Sequence, residues 1–280
     1  MFIQNKIIQK VRDKCMEDEL VSACMMYGSF TKGEGDQYSD VEFYIFMADD
    51  KLVNFNSRHW VSEVYPIDLI FYNEYGTEVV IFSNLIRGEF HFLPVSKMEV
   101  IKDFKPTGVF PDPESMYIYD STEQLKPLLD DLGGAGPDRM TNENVNFAFN
   151  NFVNAWLLGV NVMRRGELAR SLETVTEVQK YILQLIRIKE NTVERWLNST
   201  KNLEEDISTA SYHDYVSITS GLKGNELKAA YKNALHIVAG LNEVLGSLYM
   251  IDIDKELINK LYSYLNEFHN CQNQQHQYNM

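Results

Sequence analysis

The sequence is short of cysteine, of cationic residues and of long apolar runs, and each shortage excludes something. Its three cysteines, Cys15, Cys24 and Cys271, have neither metal-ligand spacing nor the density of a disulfide framework. Cys24 lies inside the apolar run "LVSACMMYG" and reads as a core residue. Lys and Arg number 26 against 40 Asp and Glu, a formal net charge of −14. Gripping a long RNA or DNA takes cationic surface, because phosphate neutralisation supplies much of that affinity. A nucleic-acid partner is therefore not expected, whereas a cationic small substrate or a metal–nucleotide complex suits the balance. No stretch approaches the roughly 20 apolar residues of a membrane span. The segment "MFIQNKIIQKVRDKCMEDEL" has no apolar signal core and no small-residue cleavage site, so a cytoplasmic location is expected.

What is present divides into two halves. Residues 3–18 put Ile3, Ile7, Ile8 and Val11 on one helical face. "LVSACMMYG" reads as a buried strand. "DVEFYIF" reads as a second, with Val41, Phe43 and Ile45 on one face and Asp40, Glu42 and Tyr44 on the other. "SFTKGEG" between them suits a short helical turn and a loop. "PIDLIFY", "TEVVIF", "GEFHFLP" and "SMYIYD" are further strand candidates. Ser121 and Gln124 have capping-box spacing. The stretch "DDLGGAGPDRMT" is the strongest boundary signal. Beyond Thr141 the pattern is helical, with Phe147, Phe149, Phe152, Trp156 and Leu157 on the first long segment and short polar links that favour a bundle. "NLEEDIS" reads as a solvated helix start, and the polar tail "NCQNQQHQYNM" as a frayed end.

The chemistry concentrates at "MMYGSFTKGEGDQYSDVEFYIF". Asp40 and Glu42, two apart on a strand, leave the same face. Like charges held together there need a cation between them or a proton on one. Mg²⁺ fits, since it takes hard oxygen ligands and commonly combines protein carboxylates with substrate phosphates. An isolated D-x-E is ordinarily a solvated strand face, but Gly28-Ser29 upstream changes its meaning. Glycine lets a backbone approach a phosphate, turn amides and a serine hydroxyl favour an anion, and Lys32 adds a positive charge. Asp68, Glu78 and Glu89 are further acids on the later strand candidates. Glu78 opens an apolar run and reads as a solvated strand end. Tyr44 and His91 read as packed aromatics near the same face.

Gly28-Ser29 followed by Asp40-x-Glu42 resembles the G-S…D-x-[DE] signature of the nucleotidyltransferases that share the DNA polymerase β catalytic fold. "ACMMYGSFTKGEGDQYSDVEFYIF", "NEYGTEVVIF" and "RGEFHFL", with "RGELARSLE" and "LQLIR" in the helical half, are similar to the lincosamide nucleotidyltransferases of the longer, two-domain type. The resemblance extends to about residue 260. It implies an α+β protein: a polymerase β-like catalytic domain over 1–132, with a mixed sheet and flanking helices, then a helical bundle over 138–270. It implies transfer of AMP from ATP to a hydroxyl of lincomycin or clindamycin, with release of pyrophosphate. Two Mg²⁺ ions would clamp the attacking and leaving oxygens. Asp40 is the expected ligand bridging both ions and Glu42 a further ligand. Glu89, at the family's base position, is the expected third carboxylate and general base, with Asp68 its main rival. Arg165 and Arg170 are expected to reach the triphosphate, and a homodimer is expected. The competing readings are the same transfer to an aminoglycoside, a protein hydroxyl or an RNA end, and a non-catalytic nucleotide-binding module. The intact set of Gly28, Ser29, Asp40, Glu42 and Glu89 weighs against the module.

Overall fold

The computed structural model describes residues 1–267, so Cys271 and the tail from Asn270 fall outside the described residues. The chain forms two compact units, one from Met1 to Pro137 and the other from Asp138 onward. Among the described residues no helix is long and apolar enough to cross a membrane.

The first unit runs α1 (Ile3–Glu17), β1 (Val21–Tyr27), β2 (Val41–Met47), α2 (Ser57–Val64), β3 (Ile67–Tyr72), β4 (Glu78–Phe82), β5 (Arg87–Pro94), β6 (Tyr117–Asp120) and α3 (Leu125–Leu132). Among the described residues the sheet has six strands in the order β3-β4-β5-β2-β1-β6. β2 and β5 are parallel and the other neighbours antiparallel, so the sheet is mixed. The strand period of two splits each central strand between two cores. Val41, Phe43 and Ile45 face Ile7 and Val11 of α1 and Trp60 and Val61 of α2. Ala23, Met25 and Phe46 face the other way, onto Met98, Ile101 and Leu125, Leu128 and Leu129 of α3. The sheet is thus covered on both faces, and each fully buried side chain of this size contributes about 1.5–3 kcal/mol of transfer free energy.

Two expectations about this unit change. Glu78 is not a solvated strand end. It is 6% exposed beneath α2, where Oε1 accepts a hydrogen bond from Ser57 Oγ at 2.7 Å and Oε2 is buried without a partner. Burial raises its carboxyl above the ordinary value, against the Ser57 hydrogen bond. Ser121 and Gln124 do not form a capping box either. The Asp120 carboxylate accepts from the Leu125 amide at 2.9 Å, while the Ser121 hydroxyl donates to the Ser22 carbonyl. A short carboxylate at the strand end reaches the first helical amides, so the serine is left to tie β6 to β1.

The second unit contains α4 (Asn142–Arg164), α5 (Leu168–Glu190), α6 (Leu203–Asp206), α7 (Thr209–Ser217), α8 (Gly224–Leu245) and α9 (Lys255–Asn266). α4 and α5 form a hairpin whose turn contains Gly166 at φ +82°, a value that glycine adopts without a Cβ penalty. Phe149, Phe152, Trp156 and Tyr231 are fully buried. Trp156 Nε1 donates to the Tyr231 carbonyl at 2.9 Å, which satisfies the indole inside an apolar core. Phe147 stands apart from that core stripe at 47% exposure and packs edgewise on Tyr181. "NLEEDIS" is solvated at Glu204 and Glu205 but not at Asp206. Asp206 accepts from the fully buried Arg187 at 2.9 Å and from Arg195, and the Arg187 guanidinium also donates to the carbonyls of Thr192, Ser199 and Lys201. A buried guanidinium needs that complete a set of acceptors.

Candidate active site

Gly28 closes β1 at φ +91°, ψ −156°, a conformation all but reserved for glycine. The 3₁₀ turn Ser29–Lys32 begins at once. Thr31 holds the turn shut, its amide and hydroxyl both donating to the Gly28 carbonyl, at 3.2 and 2.7 Å. Ser115 Oγ donates to the Thr31 carbonyl at 2.7 Å and pins the turn to the rest of the unit. A Cβ on Gly28 would collide with the Glu42 carboxylate, so the glycine is what lets that carboxylate lie against the backbone. Lys32 lies near Gly108, with Nζ 5.4 Å from the ring centre of Phe110.

The β-ladder sets the acids. Glu42 of β2 is paired in register with Tyr27 on one side and with Glu89 of the parallel β5 on the other. Asp40 stands two residues before Glu42, just ahead of the strand, and its segment is anchored by Gln4 Nε2, which donates to the Ser39 carbonyl at 2.9 Å. Asp40, Glu42 and Glu89 are therefore brought to one end of the sheet, beside the Gly28-Ser29 turn. Asp68 is not: it lies exposed on the edge strand β3.

Arg87 links two of these acids. It is two residues before Glu89 on the same strand face, and its guanidinium pairs with Asp40 at 2.5 Å and with Glu89. Among the described residues no three Asp, Glu, His or Cys side chains are gathered as a ready ligand set. Arg87 opens the segment "RGEFHFL", and the period of two that puts Glu89 on this face puts Arg87 there as well.

Aromatics floor the same face. Tyr44 stacks on His91 with ring centres 4.1 Å apart and planes 6° from parallel, and Phe104 meets both Tyr44 and Tyr27 at 5.1 Å. Burial, then the neighbouring Tyr27, Glu42 and Glu89, push the Tyr44 phenol up to about 12. Burial also raises Tyr27, aided by Glu42 and opposed by a hydrogen bond to Thr107. Burial lowers His91 against the pull of Glu89, which favours the neutral imidazole. Glu42 and Glu89 thus share one partly desolvated space with Tyr27, Tyr44 and His91.

Arg165 and Arg170 belong to the second unit. Arg165 ends α4, exposed, and Arg170 pairs with Glu167 at 3.2 Å. Arg170 also lines an open groove of about 420 Å³ along α4 and α5, with Asn154, Leu158, Glu173, Glu177 and Tyr181.

The layout joins a mixed sheet, with a glycine-serine turn beside a D-x-E pair, to a helical unit in the same chain. Residues 141–264, within the second unit, match the family described as lincosamide nucleotidyltransferase-like, C-terminal domain. Two solved structures show a weaker likeness. The crystal structure of an aminoglycoside 6-adenyltransferase from Bacillus subtilis is 12% identical over 95% of this chain and 97% of that one, at a TM-score of 0.43. A nucleotidyltransferase-like protein from Exiguobacterium sibiricum is 13% identical over 86% of this chain and 77% of that one, at a TM-score of 0.36. No curated protein matches the chain.

Proposed function

We propose that this protein is a nucleotidyltransferase that transfers AMP from ATP to a hydroxyl of a lincosamide such as lincomycin or clindamycin. The observation that carries the catalytic part is the register of Glu42 with Glu89, with Asp40 two residues upstream and the Gly28-Ser29 turn alongside. The family match of the helical unit supports the acceptor class.

In the reaction an oxygen–phosphorus bond forms between the drug hydroxyl and the α-phosphorus of ATP, and the bond to the departing pyrophosphate breaks. An alcohol is a weak nucleophile at neutral pH, so the proton must go to a base. Glu89 is that base in this reading. Ser29 and Lys32 hold phosphate oxygens, and the glycine conformation at 28 lets the backbone come close. Asp40, Glu42 and Glu89 would hold Mg²⁺. The fit is chemical: every donor is a hard carboxylate oxygen, and a cationic group already bridges Asp40 and Glu89. When bound, the divalent ions supply charge that polarises the phosphoryl oxygens. The aromatic face of Tyr44 and His91 excludes water beside the acids.

A second acceptor class, the aminoglycosides, is favoured by the net charge of −14, which suits a polycation. Pyrophosphate release with ATP and Mg²⁺ separates the two. Release that depends on clindamycin supports the lincosamide reading. Release with kanamycin and none with clindamycin transfers the proposal to aminoglycosides, and release with no acceptor tested refutes antibiotic modification.

A further inference from the structure

We propose that Arg87 is a resident counter-cation: its guanidinium occupies the place between Asp40 and Glu89 that a divalent ion takes, and the ion binds by displacing it. The inference rests on the reading of those two acids as metal ligands.

The geometry assigns the parts. Arg87 uses Nη1 for Asp40 Oδ2 and Nη2 for Glu89 Oε1, so one guanidinium spans both carboxylates. Arg87 and Glu89 share a face of β5, and Asp40 is delivered from the neighbouring β2, so the bridge ties the two parallel strands at their starts. The acids are the fixed members. Glu89 is 18% exposed and held in the ladder, and Asp40 is 31% exposed behind a segment anchored by Gln4. The arginine is the movable member, with its side chain 43% exposed.

A guanidinium keeps its proton at any ordinary pH, so this cation is removed only by movement. Its charge and a divalent ion's repel each other at that spacing, which makes occupancy of the pair competitive. While Arg87 is seated it offsets the repulsion between two acids that would otherwise spread apart. The device keeps the ligand pair assembled without metal, at the cost of weaker apparent metal affinity.

The test is Mn²⁺ titration of the full chain without nucleotide, followed by electron paramagnetic resonance of the free ion. Arg87→Gln removes the competing charge and is expected to bind Mn²⁺ about tenfold more tightly than wild type, which corresponds to about 1.4 kcal/mol. Arg87→Lys keeps the charge and loses the two-pronged grip, and is expected between the two. Affinities equal in wild type and both variants overturn the proposal. Binding of Mn²⁺ to none of them, with or without ATP, overturns the metal-site reading itself and the proposal with it. A readout independent of the glutamine variant is the guanidinium nitrogen NMR signal that Arg87→Lys deletes. In wild type Mg²⁺ with a non-hydrolysable ATP analogue should release that signal to a solvent-exchanging state, and an unchanged signal with the analogue bound refutes displacement.

Discussion

Replacing Gly28 with alanine tests how the phosphate turn and the acids are built into one another. At φ +91°, ψ −156° an alanine sits in a region all but closed to L side chains, which costs about 1–3 kcal/mol. The new Cβ would also collide with the Glu42 carboxylate, so Glu42 must leave its position. With about 4 °C of midpoint per kcal/mol for a unit of this size, the melting temperature should drop by roughly 4–12 °C. A misplacement of about 1 Å at a reacting centre costs about 10²-fold in rate, and turnover should fall by that order. The assay is a thermal melt paired with steady-state pyrophosphate release. Gly28→Ala should also be milder when Glu42 is already alanine, because the collision is gone and only backbone strain is left. The two substitutions should couple by at least about 0.5 kcal/mol. A Gly28→Ala protein that melts and turns over like wild type, or an additive double mutant, refutes the claim that Gly28 seats Glu42.

Four other substitutions probe separate parts of the structure. Glu89→Gln should keep ATP binding and lose about 10²-fold or more in turnover, and wild-type turnover would remove Glu89 as the base. Asp40→Asn should abolish Mg²⁺-dependent activity, and an unchanged Mg²⁺ dependence would take it out of the metal site. Glu78→Gln tests the buried acid by its pH profile. The raised folded value means the native state binds the Glu78 proton more tightly than the unfolded state does. Stability from this group is therefore lost as pH rises from the unfolded value near about 4.3 through the folded one. The variant should match wild type near about pH 4 and exceed it near about pH 8 in urea melts; parallel profiles would contradict the burial argument. Gly159→Ala pushes a methyl group into the hydroxyl end of Tyr231, which is fully buried and donates to the Ser171 carbonyl at 2.8 Å. About 1–3 kcal/mol should be lost, partly recovered by adding Tyr231→Phe, and no loss would mean the α4–α8 contact is loose.

Strand alternation made much of the sheet legible in advance. Val41, Phe43 and Ile45 against Asp40, Glu42 and Tyr44 is a two-face pattern, and the β2–β5 ladder keeps it. The same period pointed to Glu89 and His91. What it does not carry is the identity of the partner across a strand pair. Arg87 belongs to the pattern, yet its bridge to Asp40 exists only because β5 lies parallel to β2, a crossover that local sequence does not encode. Glu78 was misplaced for a related reason: the start of an apolar run does not reveal that α2 will cover it. Ser121 and Gln124 have the right spacing for a cap, but it is Asp120 that accepts from the first helical amide. Asp206 looked like one of several solvated acids until tertiary packing brought Arg187 and Arg195 to it.

The most direct measurement is mass spectrometry of clindamycin after incubation with the chain, Mg²⁺ and each nucleoside triphosphate in turn. A drug species heavier by one adenylyl group is expected with ATP, absent when Asp40→Asn replaces the wild-type chain. Unmodified clindamycin with every nucleotide, from a chain shown to bind ATP, would contradict it.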